Sequence, residues 1–369
     1  MNHIKYFFAT IFLASFAVTN AQVTGESRMM TDPAVSANAI VFVYANDLWR
    51  ASLDGSNVTR LTSSEGMEFS PVFSPDGKTL AFTGQYDGNT DVFTMPAEGG
   101  TPTRLTWHPS ADYVRGFTPD GKSILFSSDR ESFTATLPNF YLLPSGGGFP
   151  EKMKLPSGVY GSFSPDALKI AYNPYYNAFQ QWKNYRGGRI SFIWICDLNT
   201  LAVEKIPQPS GGCNDWRPMW IGEYVYFLSD RNGEFNLFSF NTNTKEVKQL
   251  TRFTDFPINS AGYGGGKIIL EQSGYLHLFD PSTGTATQLH IHVPADLPGI
   301  RSRYVPASKT IRYVDLSPSG ARAVFEARGG DHHPACRERR CPEPHQYDRG
   351  LRTLACMVAR RQKDRLVLR

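Results

Sequence analysis

Residues 69–83 run Phe-Ser-Pro-Val-Phe-Ser-Pro-Asp-Gly-Lys-Thr-Leu-Ala-Phe-Thr, and this stretch constrains the chain more than any other. It reads as a strand, a tight turn and a returning strand. Val72 and Phe73 are β-formers, Pro75-Asp76-Gly77 carry the turn, and Leu80-Ala81-Phe82 begin the return. Proline presets φ at a turn, aspartate bonds its neighbouring backbone, and glycine accepts positive φ without a Cβ clash. Gly116-Phe117-Thr118-Pro119-Asp120-Gly121 and Gly161-Ser162-Phe163-Ser164-Pro165-Asp166 repeat the pattern, so the hairpin is one part of a recurring unit.

Each unit carries two further strands. In the second copy these are Asp91-Val92-Phe93-Thr94-Met95 and Arg104-Leu105-Thr106; in the first, Asp47-Leu48-Trp49-Arg50-Ala51 and Arg60-Leu61-Thr62; in the fifth, Asn236-Leu237-Phe238-Ser239 and Gln249-Leu250-Thr251. Four strands repeated at about 40 to 50 residues predict a β-propeller. One small sheet cannot cover both its faces, so neighbouring blades must stack around an axis. The expectation is an all-β chain with a six-bladed β-propeller over residues 32–290 and a linker at 291–306 containing Pro294, Pro298 and Pro306. Residues 307–330, with Thr310-Ile311-Arg312-Tyr313-Val314-Asp315-Leu316-Ser317-Pro318-Ser319-Gly320, open a second propeller.

At 369 residues, with 41% hydrophobic and 13% aromatic content, the chain has ample material for a core, which excludes global disorder. The net charge of +4 is no sign of nucleic-acid binding, because arginines crowd into residues 331–369. Lys5, an apolar run over residues 6–18 and Thr19-Asn20-Ala21 before Gln22 read as a cleaved secretory signal at 1–21. That run is short for a bilayer span and no other segment is long enough, so the expected product is exported, periplasmic or extracellular, without a stable membrane span. Cys196 and Cys213 read as two separate reduced thiols.

From Asp331 the strand-and-turn rhythm stops. Arg337-Glu338-Arg339-Arg340 and Arg360-Arg361-Gln362-Lys363 have no counterpart upstream, and the tail reads as disordered and basic. Codons permitted for its residues allow a shifted reading frame. Pro334 to Arg340 can be encoded so that the frame one base later reads Leu-Pro-Ala-Glu-Lys-Gly, close to Met95-Pro96-Ala97-Glu98-Gly99-Gly100. The same shift under Leu354 to Asp364 yields Ser-Pro-Ala-Trp-Ser-Pro-Asp-Gly-Lys, the repeat's own hairpin.

Chemistry-bearing motifs are sparse. His332, His333, Cys336, Cys341 and His345 match no paired metal-ligand spacing, and His290 with His292 reads as a solvated pair. There is no GxSxG elbow or SxxK arrangement, and Gly146-Gly147-Gly148 and Gly264-Gly265-Gly266 lack the lysine of a phosphate loop and suit blade turns. Asp129-Arg130 and Asp230-Arg231 recur after equivalent strands as structural ion pairs or turns. Tyr175, Tyr176, Trp182 and Tyr185, in an insertion over residues 174–189, suit either a binding lip or edge packing. No catalytic, cofactor-binding or metal residue is assigned, and no cofactor is expected.

The SPxFSPDGKxLAF, DVFTMPAEGG and RLT elements resemble the short propeller repeats of tricorn-like serine peptidases, and are also similar to the propeller of the periplasmic TolB protein. The resemblance covers about residues 30 to 330. Tricorn-like enzymes have a six-bladed propeller, then a seven-bladed one, a PDZ domain and an α/β peptidase core. Their catalytic serine, histidine and acidic partner lie in that later part, and no position here matches them. The resemblance implies an N-terminal propeller fragment that guides or gates peptides or oligopeptides, inactive by itself, from a family in which homo-oligomers occur. The alternative is a TolB-like binding scaffold. A cytoplasmic location, as in the wider tricorn family, is the alternative to export.

Overall fold

The computed structural model describes residues 25–132, 134, 137–176, 184–295, 311–320 and 323–327, with the strand backbones of Gly330–His332, Ala355–Val358 and Arg365–Leu368. The signal at 1–21, Trp182, residues 296–306 of the linker and most of the 331–369 tail lie outside the described residues. The chain divides into two units, residues 1–294 and 295–369.

The first unit contains six four-stranded antiparallel sheets, each a meander in chain order. Blade one is β1 (Thr31–Val35), β2 (Ala39–Tyr44), β3 (Asp47–Ser52) and β4 (Thr59–Arg60). Blade two is β5 (Glu68–Phe73), β6 (Thr79–Gly84), β7 (Asp91–Pro96) and β8 (Thr103–Arg104). Blade three is β9 (Asp112–Phe117), β10 (Ser123–Ser128), β11 (Asn139–Pro144) and β12 (Glu151–Lys152). Blade four is β13 (Tyr160–Phe163), β14 (Lys169–Asn173), β15 (Trp194–Asp197) and β16 (Val203–Lys205). Blade five is β17 (Asp215–Ile221), β18 (Tyr224–Ser229), β19 (Asn236–Asn241) and β20 (Val247–Gln249). Blade six is β21 (Ile258–Gly264), β22 (Lys267–Gln272), β23 (Tyr275–Asp280) and β24 (Thr285–Leu289). The first strand of each blade packs against the first strands of its two neighbours, and β1 against β21 closes the ring.

Local chemistry explains each blade. In the β5–β6 turn the Ser74 hydroxyl donates to Asp76 at 2.6 Å, the Lys78 N–H donates to the same carboxylate, and the Thr79 N–H donates to Ser74 Oγ. Thr118 with Asp120 and Ser164 with Asp166 repeat the arrangement. The arginine and threonine of RLT pin the short outer strands. Arg60 reaches Asp47 and Arg104 reaches Asp91, both at 2.6 Å, while Thr62 and Thr106 accept the N–H groups of Leu48 and Val92.

Packing between blades follows the two-residue period of a strand. On β6, Leu80 and Phe82 join Val41, Val43 and Leu48 of blade one, while Ala81 joins Val114, Ile124 and Phe126 of blade three. On β18, Val225 and Phe227 face blade four and Tyr226 and Leu228 face blade six. Second strands are therefore apolar on both faces, and burying each large side chain contributes roughly 1.5–3 kcal/mol.

Two devices close the ring. Gly262 and Gly264 bring β21 against β1, since a Cβ on either would lie 2.2 Å or 2.1 Å from the carbonyl oxygens of Pro33 and Val35. The second is a clasp. The Ser27 N–H donates to Ile291 O at 2.9 Å, the Val293 N–H to Ser27 Oγ at 2.8 Å, and the Met30 N–H to Gly274 O at 3.2 Å. Residues 291–293, expected as the start of a linker, are thus part of the closure, because Ile291 and Val293 alternate apolar and buried.

The second unit has an antiparallel sheet of β25 (Ile311–Leu316), β26 (Ala323–Ala327) and β27 (Gly330–His332). A separate pair joins β28 (Ala355–Val358) and β29 (Arg365–Leu368). Both strands of that pair lie within residues 331–369, most of which are outside the described residues.

Candidate functional site

The six innermost strands enclose a channel, and its lining is set by breaks in their pairing. Asp32, Ser70 and Arg217 adopt φ of 43°, 51° and 53°, and each precedes a proline. Proline offers no N–H to the ladder and crowds the residue before it. In each case two residues oppose a single buried phenylalanine, Phe42, Phe82 or Phe227. Strands β9 and β21 carry an extra residue at Arg115 and Asn259, whereas β13 pairs regularly. A bulge of this kind redirects side chains.

The channel has a wide mouth and a narrow waist. The mouth is a cavity of about 730 Å³ lined by the hairpin turns, including Ser74 to Gly77, and by a collar of Phe73, Phe117, Phe163, Trp220 and Tyr263. At its rim Arg50 pairs with Glu98 at 2.7 Å. The waist is about 70 Å³, lined by Pro33, Pro71 and Pro218 together with Asp32, Arg115, Tyr160, Arg217 and Tyr263. Val72 and Tyr263 line both spaces.

The waist is charged. Arg217 donates to Asp32 at 3.1 Å across 185 residues of sequence. Its guanidinium carbon lies 4.9 Å from the Tyr160 ring centre, and that of Arg115 lies 4.5 Å from the same ring. Burial works against the Arg217 charge, but Tyr160 and Asp32 outweigh it and hold its pKa above the ordinary value. Glu271 accepts from Ser260 Oγ at 2.6 Å and from the Asp32 N–H at 3.3 Å. Burial raises the Glu271 carboxyl, the Ser260 bond opposes the rise, and the Asp32 charge adds to it. Tyr263 and Ser162 bond through their hydroxyls at 2.6 Å, joining blades six and four.

Of the residues singled out in the sequence, the Ser74–Gly77 turn and Gly264-Gly265-Gly266 line the mouth, and the ion-pair motifs lie elsewhere. Arg130 and Arg231 bond Asp112 and Asp215 within their own blades, and Asp230 takes Arg186 at 2.7 Å. Gly265 and Gly266 form the β21–β22 turn with φ of 56° and 75°. Tyr175 packs edge-on against Phe192, and Tyr176 of the insertion reaches the channel wall, accepting from Arg115 at 3.3 Å. Cys196 and Cys213 are free, buried thiols. Among the described residues no group of three or more His, Cys, Asp and Glu is placed to hold a metal. Sequence reading missed Asp32, Arg115, Tyr160 and Arg217. The available signal was the residue before Pro33, Pro71 and Pro218 in aligned copies.

The model of the tricorn protease N-terminal beta propeller domain matches residues 27–285. The chain belongs to that family. Among tricorn relatives, the tricorn protease homolog of Saccharolobus solfataricus is 28% identical over 272 residues, covering 72% of this chain and 24% of its own. The tricorn protease of Thermoplasma acidophilum is 25% identical over 312 residues, covering 82% and 28%. The chain thus spans about a quarter of the length of these tricorn proteins. A crystal structure of the tricorn protease superposes with a TM-score of 0.68 at 24% identity, covering 82% of this chain and 30% of that one, which shows the shared tricorn propeller fold.

Proposed function

We propose that this chain is the N-terminal propeller of a secreted tricorn-type serine peptidase, and that its channel guides or gates peptides. The observation that carries this reading is the family match over residues 27–285 on a ring whose mouth, at about 730 Å³, is within the size range of ligand pockets. Its aromatic collar suits the mixed side chains of oligopeptides. Hydrolysis is assigned to the family's later serine-peptidase part, so the chain alone is proposed to be inactive. Full-length relatives supply the expectation of a homo-oligomer.

Resequencing the gene and assaying the restored product tests this reading. A missing or extra base is expected near the Gly330 codon, opening a frame of several hundred residues whose product cleaves peptides while the present chain does not. A restored frame that stops after one or two blades and yields no peptidase sinks the proposal in favour of a TolB-like scaffold. Export is checked by N-terminal sequencing of the secreted product, expected to begin at Gln22.

A further inference from the structure

Blades three and five end their second strands alike, but only one of the two ends is filled. Asp112 stands opposite Ser128 in one ladder and Asp215 opposite Ser229 in the other. Asp129-Arg130 and Asp230-Arg231 follow, each arginine bonding the aspartate across its hairpin. In blade five every oxygen of the two carboxylates has a partner. Asp215 accepts from Arg231 at 2.9 Å and from the Gln208 amide at 3.1 Å. Asp230 accepts from the Asn214 N–H at 2.7 Å, the Asn214 amide at 2.9 Å and Arg186 at 2.7 Å. Blade three lacks the equivalent donors. Counted from Leu105 and Ile206, whose N–H groups bond the Val92 and Ile193 carbonyls, Gln208 corresponds to Trp107, which is 67% exposed. Counted back from the aspartate, Asn214 corresponds to Ala111. Arg186 arrives in the long connection between β14 and β15, whereas Gln85-Tyr86-Asp87-Gly88-Asn89-Thr90, between β6 and β7, contains no cation. Asp112 Oδ1 and Asp129 Oδ1 are accordingly buried without a hydrogen-bond partner, and the Asp112 residue is fully buried. A buried carboxylate oxygen left unpaired is costly, and a guanidinium meets it with charge as well as hydrogen bonds.

We propose that this edge of blade three is a docking site for an arginine side chain of a partner protein, which takes at Asp129 the place that Arg186 takes at Asp230. The chain's own Tyr185-Arg186-Gly187 is the pattern for the occupant. One Arg186 Nη reaches the Asp230 carboxylate, the other donates to the Asp230 carbonyl at 3.2 Å, and the Tyr185 carbonyl accepts from Asn214 at 3.0 Å. Charge agrees with this. Asp87 and Glu131 are exposed in the connections after β6 and β10, while Arg104, Arg130 and Lys152 already pair with Asp91, Asp112 and Glu131. Trp107 adds an exposed indole, a face on which a guanidinium stacks and an ammonium does so less well. The inference does not rest on the peptide-channel reading; it concerns a different ligand at a different set of residues.

The test is calorimetric titration of the whole chain with N-acetyl-Tyr-Arg-Gly amide and with the same peptide carrying citrulline, which keeps the shape and loses the charge. The arginine peptide is expected to bind about ten-fold or more tightly than the citrulline peptide, as for a charge-assisted bond. Asp129→Asn is expected to abolish that preference. Ala111→Asn is expected to abolish it too, because it restores within the chain the amide that blade five already has, and thermal melts check that the ring is intact in both variants. Equal binding of the two peptides, a preference that survives both substitutions, or no binding of either peptide at millimolar concentration overturns the proposal. Uptake of calcium alone, lost in Asp129→Asn and accompanied by no preference between the peptides, overturns it as well and makes the two carboxylates a metal site. Should Asp129→Asn fail to fold, the wild-type comparison and Ala111→Asn decide.

Discussion

The hairpins β5–β6 and β25–β26 share their turn chemistry but not their surroundings. In both, a serine carbonyl accepts a glycine N–H at 2.8 Å, Ser74 from Gly77 and Ser317 from Gly320, and the glycines have φ of 72° and 68°. The second strand of the first hairpin has Leu80 and Phe82 fully buried between blades. On β25, the first strand of the other hairpin, Ile311, Val314 and Leu316 stay 47%, 61% and 60% exposed, while Val324 on its second strand is 2% exposed. A hairpin needs only its own turn and pairing residues; a buried face needs a neighbour.

Phe82→Ala bears most heavily on this contrast. Removing a fully buried ring should cost about 3–5 kcal/mol, whereas Val314→Ala should stay within about 0.5 kcal/mol. Urea unfolding followed by circular dichroism measures both, and equal costs would break the comparison. Gly262→Ala comes next. Its new Cβ meets the Pro33 carbonyl oxygen, so closure between blades six and one should weaken by about 2–3 kcal/mol, while alanine at Gly320 only strains a turn.

The smallest effect is a pH slope. Glu68, which opens β5, accepts from Thr62 at 3.0 Å and Tyr86 at 2.5 Å, and burial pushes its carboxyl up to about 7 despite those bonds. The folded state therefore keeps this proton after the unfolded chain has released its own near the ordinary 4.5. Stability should fall as pH rises between those values and level off above them, by on the order of 1–3 kcal/mol. Glu68→Gln should remove that slope in thermal melts at pH 5 and pH 8. A slope unchanged in the variant would assign the effect to other groups.

The blades were legible because their information is local. Ser74-Pro75-Asp76-Gly77 states a turn, Leu80-Ala81-Phe82 a strand apolar on both faces, and Arg60-Leu61-Thr62 an outer edge tied to Asp47. Asp129-Arg130 and Asp230-Arg231 were legible as structural pairs, although their partners were not. The arginines of both motifs reach back across a hairpin to Asp112 and Asp215, so adjacency in the chain was a poor guide to pairing. The waist was not legible at all. Arg115 and Arg217 sit in different blades, and nothing in either local sequence says that both will stack on Tyr160.

The sequence by itself determined the strand, the turn and their number, since φ restrictions, β-propensity and two-residue alternation act within a few residues. It also carried the bulge, because a proline after Asp32, Ser70 or Arg217 interrupts a ladder wherever it stands. Only the tertiary structure decided what those bulges face. Closing the ring through Gly262, Gly264 and the Ser27–Ile291 clasp brings six separate strands around one axis. Arg115 and Arg217 meet over the Tyr160 ring only there, because they stand on strands of different blades.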